Sequence, residues 1–189
     1  MQSDKLSNKN RATVNEITKN LTTVLTRIQD NDPKIKSDVE NLKIENATEI
    51  SVGQNKSCYL VQVNEASVKN LHNVHSDIVK KLEDHFSTPV VIVPYRKKIN
   101  GKLFRRYKGN KVPRDKTLTA VYDSYMEDLL YPATIVGKRV RYPKGKSRVY
   151  KVFVDPLDRE HIEYKLNAIV ACYKGLTNRD LVIEFPQHY

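Results

Sequence analysis

The chain has 189 residues, with 33 Lys or Arg against 22 Asp or Glu and only two cysteines. This length is near that of one domain and is enough to bury a hydrophobic core without disulfides or metal. No apolar run approaches the length of a bilayer span, and the first twenty residues do not resemble a signal peptide. We therefore expect a protein that stays on the cytosolic side of membranes and forms a single compact domain overall.

The first half of the chain follows a loose tail at residues 1–10 and covers residues 11–94. Apolar residues recur at spacings of three and four from Val14 to Ile28, which predicts an amphipathic helix. Asp32 as cap and Pro33 at the first helical position predict a second, short helix. The remaining elements are a hairpin with strands at 47–52 and 57–63, a helix at 66–86, and a strand at 90–93 that is apolar on both faces and closed by Pro94.

The second half, residues 117–189, repeats much of this order. It contains a helix at 117–131 stopped by Pro132, strands at 134–142 and 147–154, a helix at 157–174 ended by Gly175, and a strand at 181–185. The predicted fold class is α+β, with two ββαβ-like units, covering helices and a long basic loop between them. The repeated order indicates a structural duplication, although few residues are identical between the halves.

The positive charge is concentrated in two stretches. Residues 95–116 hold ten Lys or Arg against one acid, and residues 138–151 hold seven with none, which leaves 16 basic against 21 acidic residues elsewhere. Like charges at this density repel one another unless a polyanion neutralises them. A membrane surface would require an amphipathic helix, which residues 95–116 do not show, so a nucleic acid is the favoured partner over a membrane or solvent alone.

The first stretch, residues 95–116, is predicted to be a basic RNA-binding loop. A loop of this length without regular pattern inside a compact domain is usually functional or disordered. Its cations would contact phosphates, while aromatic rings stack on unpaired bases. The candidate RNA-binding residues are Arg96, Lys97, Lys98, Lys102, Arg105, Arg106, Tyr107, Lys108, Lys111, Arg114 and Lys116.

The second stretch extends this surface along the predicted second hairpin. Strict alternation places Arg139 and Arg141 on one face of their strand, and Val136, Val140 and Tyr142 on the other. The alternative is that these cations only protect an edge strand from aggregation, which does not easily explain all of them. The candidate RNA-binding residues here are Lys138, Arg139, Arg141, Lys144, Lys146 and Arg148.

The sequence contains no constellation typical of an enzyme. No glycine-rich phosphate loop or nucleophile motif is present, and His72 and His75 have no partner at a metal-ligand spacing. Cys58 and Cys172 are read as small buried hydrophobes. We expect no catalytic residue, no metal or other cofactor and no small-molecule substrate. A free-standing nucleic-acid-binding regulator, or a metal-dependent nuclease built from distant carboxylates, is the alternative.

The stretch TLTAVYDSYMEDLLYPATIVGKRVRY at 117–142 resembles the eukaryote-specific family of small-subunit ribosomal protein seven, which is unrelated to the bacterial protein of that number. The resemblance continues through SRVYKVFVD at 147–155 and LVIEFP at 181–186, and more faintly upstream to about residue 47. It implies a structural protein of the small ribosomal subunit that contacts small-subunit rRNA and neighbouring ribosomal proteins. It also implies a role in rRNA maturation and nucleolar passage before the protein reaches the cytoplasmic ribosome.

Overall fold

The computed structural model describes residues 16–28, 42–53, 56–99, 113–145 and 147–186. The predicted N-terminal tail, most of the predicted short helix after Asp32 and the middle of the predicted basic loop lie outside these ranges. The chain divides into two units, residues 1–95 and 96–189, named unit 1 and unit 2 below. None of the helices in the described ranges is long and apolar enough to cross a membrane. The single-domain expectation stays a prediction.

Unit 1 consists of two helices packed on a three-stranded sheet. Its elements are helix α1 (16–28), strand β1 (Ile44–Ser51), strand β2 (Ser57–Asn64), helix α2 (Val68–Phe86) and strand β3 (Val90–Tyr95). The apolar stripe predicted for α1 is confirmed, since Leu21, Val24, Leu25 and Ile28 are all buried. They pack with Leu71, Ile78 and Leu82 of α2 in the core of this unit.

In the sheet of unit 1, strand β3 and most of strand β2 are buried on both faces, whereas β1 has exposed residues such as Glu45 and Glu49. β1 pairs antiparallel with β2, and β2 pairs parallel with β3, so β2 is the central strand. All four residues Val90–Val93 are buried, which confirms the prediction of a strand covered on both faces. The prediction that Pro94 closes this strand is wrong, because β3 continues through Pro94 to Tyr95. An edge strand tolerates proline, since one side of its backbone needs no hydrogen-bond donor.

Unit 2 has the same layers, which confirms the α+β fold class with two ββαβ-like units. Its elements are helix α3 (Leu118–Leu130), strand β4 (Ile135–Arg141), strand β5 (Val149–Val154), the one-turn helix α4 (Arg159–Ile162), helix α5 (Leu166–Thr177) and strand β6 (Asp180–Glu184). β4 pairs antiparallel with β5, and β5 pairs parallel with β6, so β5 is central and β4 is an edge strand.

The single helix predicted for 157–174 is wrong in two respects. The segment begins as a 3-10 turn at Pro156–Asp158 and changes to 3-10 geometry again at Glu163–Lys165, so only α5 is a long regular helix. Gly175 lies inside α5, and the helix ends instead at Asn178, whose φ of 55° is left-handed. Asparagine adopts that conformation more readily than most residues, so it replaces glycine as the helix terminator.

The two units are structural repeats separated by a constant 91 residues. The first hairpin strand begins at Ile44 and at Ile135, and an irregularity in its pairing follows directly in both. After the second hairpin strand, the side chain of Asn64 or Asp155 caps the start of a 3-10 turn, Glu65–Ser67 or Pro156–Asp158. The long helix then ends on a left-handed residue, Ser87 or Asn178. Each of these pairs of positions differs by 91, so the ββαβ unit occurs twice without insertion or deletion.

The two faces of the unit 2 sheet differ, unlike those of unit 1. Residues that share one face, including Val152, Val154 and Leu181, are buried. The register places Arg139, Lys151 and Val182 side by side on the other face, and Val182 is 41% exposed. An antiparallel hairpin with one buried and one solvated face shows such alternation. The open face of unit 2 therefore carries Lys151 and the exposed Val182 at the positions where unit 1 has the buried residues Leu60 and Val91.

Candidate nucleic-acid interface

All of the net positive charge belongs to unit 2. Unit 1 contains 12 Lys or Arg and 12 Asp or Glu, whereas unit 2 contains 21 Lys or Arg and 10 Asp or Glu. The overall charge of +11 is therefore the charge of unit 2. A field of one sign concentrated on half of a chain attracts polyanions to that half.

The two ends of the basic loop meet at a closed base. The backbone N–H of Ile99 donates to the carbonyl of Lys116 at 3.1 Å, and the hydroxyl of Thr117 donates to the carbonyl of Arg114 at 2.7 Å. The loop between them therefore starts and ends at one place beside α3. Seven predicted RNA-binding residues lie outside the described residues: Lys102, Arg105, Arg106, Tyr107, Lys108, Lys111 and, in the hairpin turn, Lys146.

Arg96 at the start of the loop is anchored to α3. Its Nε and Nη2 donate to the two carboxylate oxygens of Asp128 at 3.0 and 3.2 Å, a bidentate arrangement. The hydroxyl of Tyr125 accepts a hydrogen bond from the Arg96 N–H at 3.2 Å. The Asp128 side chain is only 12% exposed, so this ion pair is well shielded from solvent. Arg96 stays a predicted RNA contact, but its guanidinium already has an internal partner.

Four further cations at the loop base are exposed: Lys97, Lys98, Arg114 and Lys116. The Lys98 ammonium lies 5.2 Å from the ring centroid of Tyr122 on α3, within range of a cation–π interaction. Among the described residues, no carboxylate forms an ion pair with Lys97, Arg114 or Lys116. Their charges are therefore available to an external anion.

The second hairpin presents a ribbon of exposed cations. Five of the predicted residues are exposed here: Lys138, Arg139, Arg141, Lys144 and Arg148. The Arg139 guanidinium lies 5.8 Å from the ring centroid of Phe153. Lys138 forms an ion pair with Asp123 at 2.9 Å, but both side chains are about half exposed, so water and ions compete for the pair.

Helix α3 connects the loop base to the hairpin. Its adjacent residues Tyr122 and Asp123 contact Lys98 from the loop base and Lys138 from the hairpin. The structure thereby brings the two charged stretches together within unit 2, although about forty residues separate these lysines in sequence. The sequence predicted that the hairpin extends the surface of the loop, but it did not show that one helix supports both.

Sequence reasoning missed Arg179, which follows the left-handed Asn178. Its guanidinium lies 4.6 Å from the Tyr122 ring centroid and 5.0 Å from that of Tyr150, and it donates to the Tyr150 hydroxyl. It thus joins Lys98 at Tyr122 and adds a cation to the surface. No sequence signal marks it, because it is an isolated basic residue next to Asp180.

The carboxylates of unit 2 are engaged individually with neighbouring groups. Asp180 is paired with Lys174 at 3.0 Å and accepts from the Ser147 hydroxyl, and these contacts lower the pKa of Asp180. Glu184 pairs with Lys151, and Glu163 with Arg159. Across the part of the chain that the structure describes, no group of three His, Cys, Asp or Glu residues is arranged to hold a metal ion. Cys58 and Cys172 are buried, as predicted.

The fold and charge define an α+β protein of two repeated units, one neutral and one strongly basic. The family model for ribosomal protein S7e matches residues 5–185, and the chain belongs to this family.

Curated relatives cover nearly the same length. Small ribosomal subunit protein eS7 of Secale cereale is 40% identical over 84% of this chain and 82% of the relative. The eS7 protein of Avicennia marina is 37% identical over 90% of both chains, and eS7A of Saccharomyces cerevisiae is 35% identical over 84% of both. In a comparison with solved structures, the crystal structure of APE1850 covers 80% of this chain at 13% identity, but a TM-score of 0.38 supports no conclusion.

Proposed function

We propose that this chain is a structural constituent of the eukaryotic small ribosomal subunit, and that it binds small-subunit rRNA through the basic surface of unit 2. The relatives named above are small ribosomal subunit proteins, which supports a ribosomal role for this chain. The observation that best supports RNA binding by unit 2 is the charge distribution, because unit 2 holds the whole net charge of +11. Neighbouring small-subunit proteins are the expected protein partners.

The geometry supports binding by phosphate neutralisation. Lys97, Arg114 and Lys116 are exposed at the loop base, and Arg139 and Arg141 are exposed on the edge strand β4. Lysine and arginine side chains in such positions displace condensed counterions from the RNA backbone, so the affinity falls steeply with salt. Phosphate contacts of this kind fix position and orientation on the RNA without reading its sequence.

Arg96 has a supporting role in this proposal. Its bidentate pair with Asp128 fixes the first residue of the loop against α3. An arginine fixed in this way holds the neighbouring Lys97 and Lys98 in place, which lowers the conformational entropy lost when they contact RNA. We assign Arg96 to positioning of the loop, with Lys97 and Lys98 beside it as the RNA contacts.

No catalytic role is proposed. The family is of a structural kind, and five unit 2 carboxylates, Asp123, Asp128, Glu163, Asp180 and Glu184, are each held in an ion pair of their own. No observation favours the regulator or the nuclease considered from sequence. The proposal includes participation in small-subunit rRNA processing during nucleolar assembly, before the protein reaches the cytoplasmic ribosome.

The proposal is tested by cosedimentation. The tagged chain is expressed in a eukaryotic cell, and the lysate is separated on a sucrose gradient at moderate salt. We expect recovery in the small-subunit and polysome fractions. Recovery only at the top of the gradient would overturn the ribosomal assignment.

Two charge-matched double variants locate the RNA-binding surface. Lys97→Glu with Arg114→Glu reverses two exposed cations at the loop base of unit 2, whereas Lys19→Glu with Lys80→Glu reverses two exposed cations on the helices of unit 1. Both variants change the net charge equally. We expect only the loop variant to shift towards the top of the gradient as salt is raised. An equal shift of both would show that total charge, and not the loop base, governs association.

A further inference from the structure

Tyr142 is an exposed aromatic residue at the outer end of the second hairpin. It is 69% exposed, so it contributes little to any core. The register pairs Arg141 with Val149, which places Tyr142 opposite Arg148 one step further out. The Arg148 guanidinium lies 5.2 Å from the Tyr142 ring centroid. Arg148 thus supports one side of the ring, and the high exposure of the ring shows that it is otherwise open.

The repeat shows that the fold does not require this pair. The residues 91 positions earlier are Ser51 and Ser57, which pair directly in the hairpin of unit 1. Five residues connect the paired positions in each hairpin. Two small serines are therefore sufficient to close a hairpin of this topology. The tyrosine and arginine of unit 2 need an explanation outside the fold.

We propose that Tyr142, braced by Arg148, is a stacking platform for an unpaired RNA base. This inference rests on the RNA binding proposed above and adds a site and a substrate class to it. A ring held by a guanidinium on one side presents a flat π-surface to a base on the other, and stacking of this kind tolerates every base. Arg141 and Lys144, both exposed, flank Tyr142 and supply cations for the phosphates on either side of the stacked nucleotide.

The surroundings favour a base over an apolar protein partner. An apolar docking site needs a contiguous patch, but the neighbours of Tyr142 at the hairpin end are Arg141, Lys144 and Arg148. Val140, the next residue inward on the same face, is 41% exposed and small, and the exposed Lys138 lies between it and Val136, which is 66% exposed. A single aromatic ring among cations matches the combination of π-face and phosphate that a nucleotide offers. Duplex RNA keeps its bases stacked inside, so only single-stranded RNA would use this platform.

The first test compares RNA affinities of the full chain for two probes with equal numbers of phosphates, a single-stranded oligonucleotide and a closed duplex hairpin. Tyr142→Ser, which copies Ser51 of the first hairpin, should weaken single-strand binding roughly 5- to 150-fold. Duplex binding and the salt dependence should not change. Tyr142→Phe keeps the ring and should restore the wild-type affinity. Lys144→Ala should weaken binding to both probes alike, because it removes only a phosphate contact.

The second test uses the absence of tryptophan from the chain. Tyr142→Trp introduces a single indole whose fluorescence should be quenched by a stacked base when single-stranded RNA is added. Ser51→Trp places the control indole at the corresponding exposed position of the neutral unit 1. We expect no quenching at that position, nor with the duplex at either position.

The outcomes separate the two proposals. If the wild-type chain binds neither RNA probe, the proposed RNA-binding function fails, and the platform fails with it. If the wild type binds both probes but Tyr142→Ser binds as the wild type does and Tyr142→Trp shows no quenching, only the platform is wrong. Selective loss of single-strand affinity with quenching at position 142 would support both.

Discussion

Units 1 and 2 use one backbone plan for two different surfaces. The strands, the helix cap and the left-handed helix end recur 91 residues apart, yet unit 1 is electrically neutral and unit 2 carries the whole excess of positive charge. Ala47 is fully buried in the core of unit 1, whereas Lys138, at the corresponding position of unit 2, is exposed. The same edge-strand position is thus buried in one unit and charged in the other.

The difference shows which positions the fold requires and which are available to function. Ile78 and Ile169, which correspond across the repeat, are both fully buried, so the topology demands an apolar residue there. The hairpin ends do not have this constraint, since a serine pair and a Tyr–Arg pair occupy the same place. The cations and the exposed ring of unit 2 occur at positions where the fold does not require a particular side chain.

The largest expected effect is on the free energy of unfolding, and it tests whether the cores of the two units contribute equally to stability. Ile78→Ala and Ile169→Ala should each lower the free energy of unfolding by about 2–5 kcal/mol, because each leaves a cavity next to a sheet. Chemical denaturation measures both. At a temperature where both variants are folded, RNA affinity should match the wild type. Loss of RNA binding by folded Ile78→Ala would contradict the assignment of binding to unit 2.

A smaller effect tests the anchoring of the basic loop. Asp128→Ala leaves the Arg96 guanidinium without its shielded partner and should cost about 1–3 kcal/mol of stability. Asp123→Ala removes the exposed pair with Lys138 and should cost less than about 1 kcal/mol. Thermal denaturation of the two variants makes the comparison. Equal losses would mean that Arg96 is not a structural anchor.

The smallest expected effect is a dependence of stability on pH in the acidic range. Thr134 donates to Asp158 from its N–H at 2.8 Å and from its hydroxyl at 3.0 Å, and these bonds lower the pKa of Asp158 in the folded protein. A carboxyl with a lowered folded pKa stabilises above its unfolded pKa of about 3.9, and this contribution is lost as the pH falls through the folded value. The corresponding residue of unit 1 is Ser67, which cannot titrate in this way.

The difference in melting temperature between the wild type and Asp158→Asn should therefore be larger at pH 6 than at pH 3. The asparagine variant resembles the protonated carboxyl at every pH, so it provides the reference. A difference that stays constant between these pH values would show that the ionised form of Asp158 is not what stabilises the β4 end of unit 2.

Much of the fold could be predicted from sequence because it depends on local patterns. The apolar stripe of α1 and the unbroken apolar run of β3 each report burial directly, and both are confirmed. Pro94 and Gly175 were misread for a different reason. The effect of a proline depends on whether its strand lies at a sheet edge, and the end of a helix depends on which residue adopts the left-handed conformation.

The candidate site was harder to predict than the fold. Sequence counts charges but does not show which carboxylate meets which cation, so the pairing of Arg96 with Asp128, 32 residues away, could not be anticipated. Alternation correctly separates Tyr142 from Arg141 on the hairpin, yet it does not show where the covered part of the sheet ends. Exposure of Tyr142 and the convergence of Lys98 and Arg179 on Tyr122 appear only in three dimensions.

The salt dependence of RNA binding is the most direct test of the claim that unit 2 alone carries the RNA-binding charge. The affinity of the full chain for a single-stranded RNA is measured over a range of salt for the wild type, Arg139→Glu with Arg141→Glu, and Lys19→Glu with Lys80→Glu. The slope of log affinity against log salt should become shallower by about 1.4 for the β4 variant, or about 0.7 for each lost phosphate contact, and stay unchanged for the unit 1 variant. Equal changes for both variants would contradict the account.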